Sequence, residues 1–418
     1  MSRIAYLLVL TALLYSCSGK NGNETANTTS NETSYLIPIT QEGVIFYANN
    51  VDKAFEMAKA QGKPIFLEVY SESCHVCQSF IPIFKEQKVS DFYNQNFLSY
   101  KIEVNSPEFQ SFILGRKIFV PSLPLLLYLD ENKNVVHLGV IEANSDKLIE
   151  QGKLALDPKQ RAASMKQRFL GGEKSNQFLI DYAMFSRVTM DTAMNRKAME
   201  LYANQQPQSS YTTETNFVAI QKLLMDISNP MGTYFINNLP IYKKMYDPAI
   251  VKSVAENLVM SSLYSGFGSA YDSKTILQMR DYLVKSEIDP QVARNRVLLP
   301  LINAYFKEGT PARATDLVNN HTTQVPLKVT DYLYILRYFN EKSPDAGYAS
   351  SAQNWFRNAM NMVKTNSTDE VELYYELAFA YKRANNKLEA LKNAEKALSI
   401  ARTTQAETVK IENLVRSL

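Results

Sequence analysis

The sequence predicts an α/β domain followed by an all-α domain. Two observations carry this. Up to about residue 157, short apolar runs of strand length alternate with segments of helical periodicity. From residue 158 to 418, strand-like runs disappear, and helical stretches of roughly 10–18 residues alternate with Asn, Gly and Pro breaks. A chain of 418 residues is too long for one ordinary core. Hydrophobic residues make up 45% and charged residues 21%, so most of it is expected to fold. The net charge is +3 with no basic block, which argues against a nucleic-acid partner.

The first domain is expected over 36–157. Val44 to Tyr47 reads as a short strand. Val51 to Gln61 reads as a helix, with Ala54, Met57 and Ala58 on one face and Gly62 ending it. Pro64 to Tyr70 is a continuous apolar run, the mark of a strand covered on both faces. A Cys-x-x-Cys follows, opening a helix that runs to about Gln87. Leu98 to Val104 is a strand and Pro107 to Lys117 a helix. Leu125 to Asp130 and Val135 to Ile141 are strands joined by a tight turn. Asn144 caps a last helix over Ser145 to Leu156.

The second domain, 158–418, is expected to hold about a dozen helices, with breaks at Gly171-Gly172, Pro207, Asn229-Pro230 and Pro290. Near 371–402, Tyr374, Leu377, Ala378 and Tyr381 share a helix face. Asn385-Asn386 make a turn, and Ala390, Ala394 and Ala397 place small residues where a second helix must approach. This resembles a tetratricopeptide unit, with a weaker echo from Val297 to Val318, and the region reads as a degenerate helical solenoid. No catalytic constellation is visible in it. Trp355 and most of the 25 tyrosines are read as packing residues.

The N-terminus carries a targeting signal. Arg3 precedes an apolar run, Ile4 to Tyr15, that is too short to span a bilayer. It ends in Leu14-Tyr15-Ser16-Cys17, which looks like a bacterial lipobox. The resemblance implies a signal peptide over 1–16 and a lipid on Cys17. Residues 17–35 then form a tether. Ser18 to Ser34 has no aromatic or branched aliphatic residue and cannot bury a core. Its mean reach as a coil is about 20–25 Å.

Only three cysteines occur: Cys17, Cys74 and Cys77. A disulfide between Cys74 and Cys77 closes so short a loop that it restricts the unfolded chain very little. A pair this close suits redox chemistry or metal binding. Zinc wants four ligands, and the other histidines, His137 and His321, stand in no ligand pattern. No metal and no cofactor beyond the cysteine pair is therefore expected. Glu68 lies in the middle of IFLEVY. It is either a buried carboxylate with a role or a solvated group at a sheet edge.

Several of these residues together resemble the thioredoxin superfamily over about Gly43 to Asp157. Cys74 and Cys77 match the redox pair, and Glu68 lies where the family has its buried acid. FLEVYSESCHVC is similar to the active-site strand of protein disulfide isomerases. Pro82 matches the helix-kinking proline, Pro124 the cis-proline and Gly139 the glycine of the last strand. Ser73, Leu125 and the His75-Val76 dipeptide depart from the family pattern and leave the redox potential and direction open.

The resemblance implies a thioredoxin-like fold and roles for these positions. Cys74, at a helix start where free N–H groups favour an anion, is the nucleophile, and Cys77 the resolving thiol. Glu68 is the proton acceptor for Cys77, its pKa raised by burial. Leu123-Pro124 forms a cis bond, with Pro121 the competing choice, and exposes the Leu123 backbone to pair with a substrate strand. His75 and Val76 join them as substrate-contacting candidates. His75 either stabilises the Cys74 thiolate or is a plain surface residue.

The expected activity is therefore that of a thiol–disulfide oxidoreductase. Its expected partners are exported proteins with thiols or disulfides, a redox donor or acceptor, and a membrane met through the lipid. The expected location is the cell envelope, at the periplasmic face of the outer membrane. The rival reading is a thioredoxin-fold scaffold whose helical domain binds a partner protein without redox turnover.

Overall fold

The computed structural model describes residues 36–418. The signal peptide, Cys17 and the tether lie outside the described residues. Five strands form one sheet: β1 Phe46–Tyr47, β2 Ile65–Tyr70, β3 Leu98–Glu103, β4 Leu125–Leu129 and β5 Val135–Gly139. Their order is β1-β3-β2-β4-β5, with β1, β3 and β2 parallel and β4 antiparallel to both of its neighbours.

β2 lies inside this sheet with both faces covered, which is why it reads as an unbroken apolar run. Ile65, Leu67 and Val69 point to one face and pack with Ala54, Phe55 and Ala58 of α1, Val51–Ala60. Phe66 points to the other. There it packs with Phe80 and Phe84 of α2, His75–Lys85, with Tyr93 of α3, Gln87–Asn96, and with Leu148 of α4, Ser145–Leu156. Asn144 caps α4 by accepting from the Lys147 N–H at 2.9 Å.

Two expected helices differ. The helix after the cysteines, expected as one piece to Gln87, turns a corner at Glu86, which is extended at φ −63°, ψ 131°. The Phe84 carbonyl accepts from Val44 N–H at 2.8 Å. The chain then starts α3, whose Tyr93 hydroxyl meets those of Tyr128 and the Leu148 carbonyl at 2.6 and 2.8 Å. No Gly or Pro marks that corner. The segment expected as a helix over Pro107 to Lys117 holds a wider π-helical turn, Phe109–Leu114, and Lys117 leaves it with φ 58°.

Beyond α4 the chain is helical. Fifteen α-helices run from Met165–Leu170 to Val409–Arg416, where about a dozen were expected. The excess comes from short helices such as Pro230–Asn237 and Leu239–Met245, which abut at Asn238, with Pro240 in the first turn of the second. The expected breaks fall between elements: Gly172 has φ 105°, and Asn229 and Asp289 cap the helices opened by Pro230 and Pro290. The hairpin near 371–402 comprises Thr368–Arg383 and Lys387–Thr404, joined by a left-handed Asn385 at φ 57°. Ala390, Ala394 and Ala397 are fully buried in it. Trp355 is a core residue whose Nε1–H donates to Asn319 Oδ1 at 2.9 Å.

The first helices of this region follow the sheet domain closely. They are α5 Met165–Leu170, α6 Asn176–Val188 and α7 Thr192–Gln205, of which α6 makes the apolar contact with the sheet domain. Met184, Phe185 and Val188 of α6 join the apolar cluster on the α1 face of the sheet. On β5, His137 Nδ1 accepts from the Ala162 N–H at 3.0 Å.

Candidate active site

β2 ends at Tyr70, and a tight turn closes when Cys74 N–H donates to Ser71 O at 3.1 Å. Cys74 then takes the N-cap position of α2, and its Sγ accepts from the Cys77 N–H at 3.1 Å. A sulfur held there faces free helix N–H groups and the positive end of the helix dipole, which favour the thiolate once the pair is reduced. Cys74 is half-buried, whereas Cys77 is only 5% exposed. The two are joined as a disulfide, with Cα atoms 5.2 Å apart. His75 and Val76 occupy the first turn of α2, both exposed.

Glu68 is 1% exposed, on an inner strand between β3 and β4, so the sheet-edge alternative does not hold. It shares its side of β2 with Phe66, the side that α2 covers through Cys77, Phe80 and Phe84. The parallel register sets Lys101 of β3 beside it, with Nζ 2.7 Å from Glu68 Oε2. The ammonium meets that oxygen off hydrogen-bond alignment, so the contact is chiefly coulombic. Three rings surround the same ammonium: Phe46, Phe84 and Tyr70, at 4.5, 5.1 and 5.2 Å. Burial raises the Glu68 carboxyl above its ordinary range, and Lys101 offsets part of the rise.

The Leu123–Pro124 peptide is cis, and Pro121 is not the cis residue. Leu125 pairs with Val69 across the antiparallel β2–β4 ladder, so Pro124 falls beside Tyr70, where the chain turns into the cysteine loop. Among the described residues, the Leu123 backbone makes no hydrogen bond. The unpaired Leu123 backbone thus precedes β4 at the end of the sheet where β2 leads into the cysteine loop.

Residues 25–147 match the family model Thioredox_DsbH, described as a protein of unknown function, DUF255. The N-terminal domain is thioredoxin-like. The matched segment contains Cys74, Cys77, Glu68, Leu123 and Pro124. No curated protein matches the chain.

Within the thioredoxin-like domain, the residue that sequence reasoning missed is Lys101. The signal lies in LSYKIE, where a lysine takes an inward position of a buried strand. Only the β2–β3 register shows what it meets. The histidines take other places. His137 is buried, with its Nε2 3.0 Å from Gln151 Oε1, and His321 lies on Pro311–Gln324 of the helical region. Among the described residues, no group of three or more His, Cys, Asp or Glu side chains is placed to hold a metal ion. No helix among them is long and apolar enough to cross a membrane.

Proposed function

We propose that the chain is an exported, lipid-anchored thiol–disulfide oxidoreductase that acts on protein disulfides. The observation that carries the reading is the asymmetry of the pair: Cys74 is half-buried at a helix N-cap, while Cys77 is buried on the α2 face that covers Glu68. Disulfide exchange needs one accessible, stabilised thiolate and a second thiol to resolve the intermediate.

In the reducing direction, the Cys74 thiolate attacks one sulfur of a substrate disulfide. The other substrate sulfur leaves as a thiolate, and a mixed disulfide remains. Cys77 passes its proton to Glu68 and attacks Cys74 Sγ. The second substrate thiolate leaves, and the Cys74–Cys77 disulfide forms. A dithiol donor then restores the pair, while the oxidising direction runs the same steps backwards. The polypeptide lies against Val76, which is 53% exposed, and pairs its backbone with Leu123. His75 stands next to Cys74, where a positive imidazole favours the thiolate. The expected partners are exported proteins with thiols or disulfides. The lipid on Cys17 would hold the enzyme at the periplasmic face of the outer membrane.

The test is substrate trapping. Cys77→Ser leaves the mixed disulfide without an internal thiol, so covalent complexes with natural partners should accumulate on non-reducing gels and vanish with reductant. Cys74→Ser should accumulate far fewer. Equal trapping by both variants would reject the assigned roles. No trapping by either, with no insulin reduction by the folded wild type, would favour the scaffold reading.

A further inference from the structure

The segment that presents Leu123 is held from outside its own domain. Phe119 N–H donates to the carbonyl of Val188, the last residue of α6, at 2.9 Å. The Arg187 guanidinium stands over the Phe119 ring, 4.8 Å from its centroid. On its other side, Arg187 Nη1 donates to the Leu224 carbonyl at 2.8 Å, beyond the helix Glu214–Lys222. Val188, Met184 and Phe185 pack in the same apolar cluster as Ile118, Val120, Leu123 and Leu125. One side chain thus bridges the helical region and the strip of chain that leads to the cis proline.

Arg187 is an unusual residue to place there. It is 8% exposed, its Nε has no partner, and among the described residues no carboxylate forms an ion pair with it. A buried cation without an anion is costly, and a neutral side chain of similar volume would pack this junction at lower cost. Burial pushes its pKa down to about 10, so it remains a cation at neutral pH. What the guanidinium adds is direction: a fixed planar fork that joins one ring face to one carbonyl.

We infer that Arg187 is a positioning residue of the redox site, through which the helical region holds the Phe119–Pro124 segment in the geometry that pairs with a polypeptide substrate. This rests on the oxidoreductase reading and deepens it: the helical region becomes part of the specificity apparatus. A polypeptide disulfide needs the Leu123 edge in place, whereas a small disulfide needs only the sulfur of Cys74. The two substrates should therefore respond differently to loss of the clamp.

The experiment uses the full chain with Arg187→Met and Phe119→Leu, each compared with wild type in thermal unfolding and in three readouts. The first is amide hydrogen exchange at position 119 and at Val120, Ser122, Leu123 and Leu125. The second is the KM and kcat for insulin, and the third is the rate with hydroxyethyl disulfide together with the Cys74–Cys77 redox potential. Both variants should exchange the amide at position 119 faster and raise the KM for insulin about thirtyfold, the size of a desolvated cation–π contact. Their kcat, potential and small-disulfide rate should stay at the wild-type values. Arg187→Lys, which keeps a cation over the ring, should recover part of the KM. Unchanged exchange would overturn the inference, as would faster exchange with unchanged KM. An equal fall in both rates would assign Arg187 to general stability and also overturn it. A folded wild type inactive on both disulfides would instead bring down the oxidoreductase reading, and the claim on substrate with it, while the exchange data would still report whether the clamp exists.

Discussion

A carboxyl group in the middle of a sheet must settle its charge with whatever the neighbouring strands supply. For Glu68 the register supplies a single lysine, and the net result is a raised pKa. The consequence for stability has a definite sign. The folded chain binds the Glu68 proton more tightly than the unfolded chain, so stability is greatest below the ordinary carboxyl pKa. It falls as pH rises through the higher folded value. Glu68→Gln should remove this loss, and its urea midpoint should exceed that of wild type at neutral pH while converging with it in acid. The same variant should slow disulfide exchange by about a hundredfold, the lower range of general acid–base catalysis. Lys101→Met removes the offsetting charge, and an NMR titration should then find the Glu68 carboxyl higher still. An ordinary Glu68 titration in the wild type would refute the whole set.

At the scale of elements, the sheet is joined to the helical region by hydrogen bonds as well as by apolar contact. His137 on β5 accepts from Ala162 N–H through Nδ1, and its Nε2 faces Gln151 Oε1, which fixes the neutral ring with its proton on Nε2. Burial lowers the His137 pKa below the usual value of 6.5. A cavity of about 560 Å³ lined by His137, Gln151, Arg168 and Asp181 opens beside the ring. Protonating Nδ1 would set a donor against the Ala162 donor. The contribution is fully present above the unfolded-state pKa and is lost as pH falls through it towards the lower folded value. Exchange of the Ala162 amide should therefore accelerate as pH falls below the ordinary imidazole pKa, relative to core strand amides, and His137→Leu should abolish that pH dependence. His321, whose pKa burial also lowers, would contribute to any global acid slope, so the single amide is the discriminating probe.

For the molecule as a whole, the proposed function would couple three parts: a terminal anchor, a thioredoxin-like domain and a helical region that reaches back to the cysteine pair. A coil of the length of Ser18 to Ser34 would hold the thioredoxin-like domain about 20–25 Å from its attachment point. On the proposed reading, that distance would let the disulfide meet proteins near a membrane surface. One acyl chain gives weak attachment and several give stable attachment, so a lipidated Cys17 should keep the protein in the membrane fraction after salt washing. Cys17→Ala should move it to the soluble fraction with its insulin KM unchanged. Mass spectrometry that finds Cys17 unmodified, or the chain cut elsewhere, would contradict the anchor.

Much of this was legible in the residues because it depends on local pattern. IFLEVY announces a strand covered on both faces, the spacing of Cys74 and Cys77 restricts them to one helical turn, and Asn144 caps a helix where its side chain reaches a free N–H. The alanines at 390, 394 and 397 mark a close helix approach. What depends on distant neighbours was not legible. The corner at Glu86 carries no breaker, and the helix after it sets the Tyr93 hydroxyl against that of Tyr128 on a distant strand. Lys101 lies thirty-three positions from Glu68 in sequence and meets it only through the register of parallel strands. Arg187 looks like any arginine on an amphipathic helix until the fold sets it over Phe119. By itself the sequence determined the strands, most helices and the close cysteine pair, because propensity and periodicity act over one or two turns. Tertiary structure alone decided which charges meet the site and which helix holds its edge, because those contacts arise only when separate segments pack.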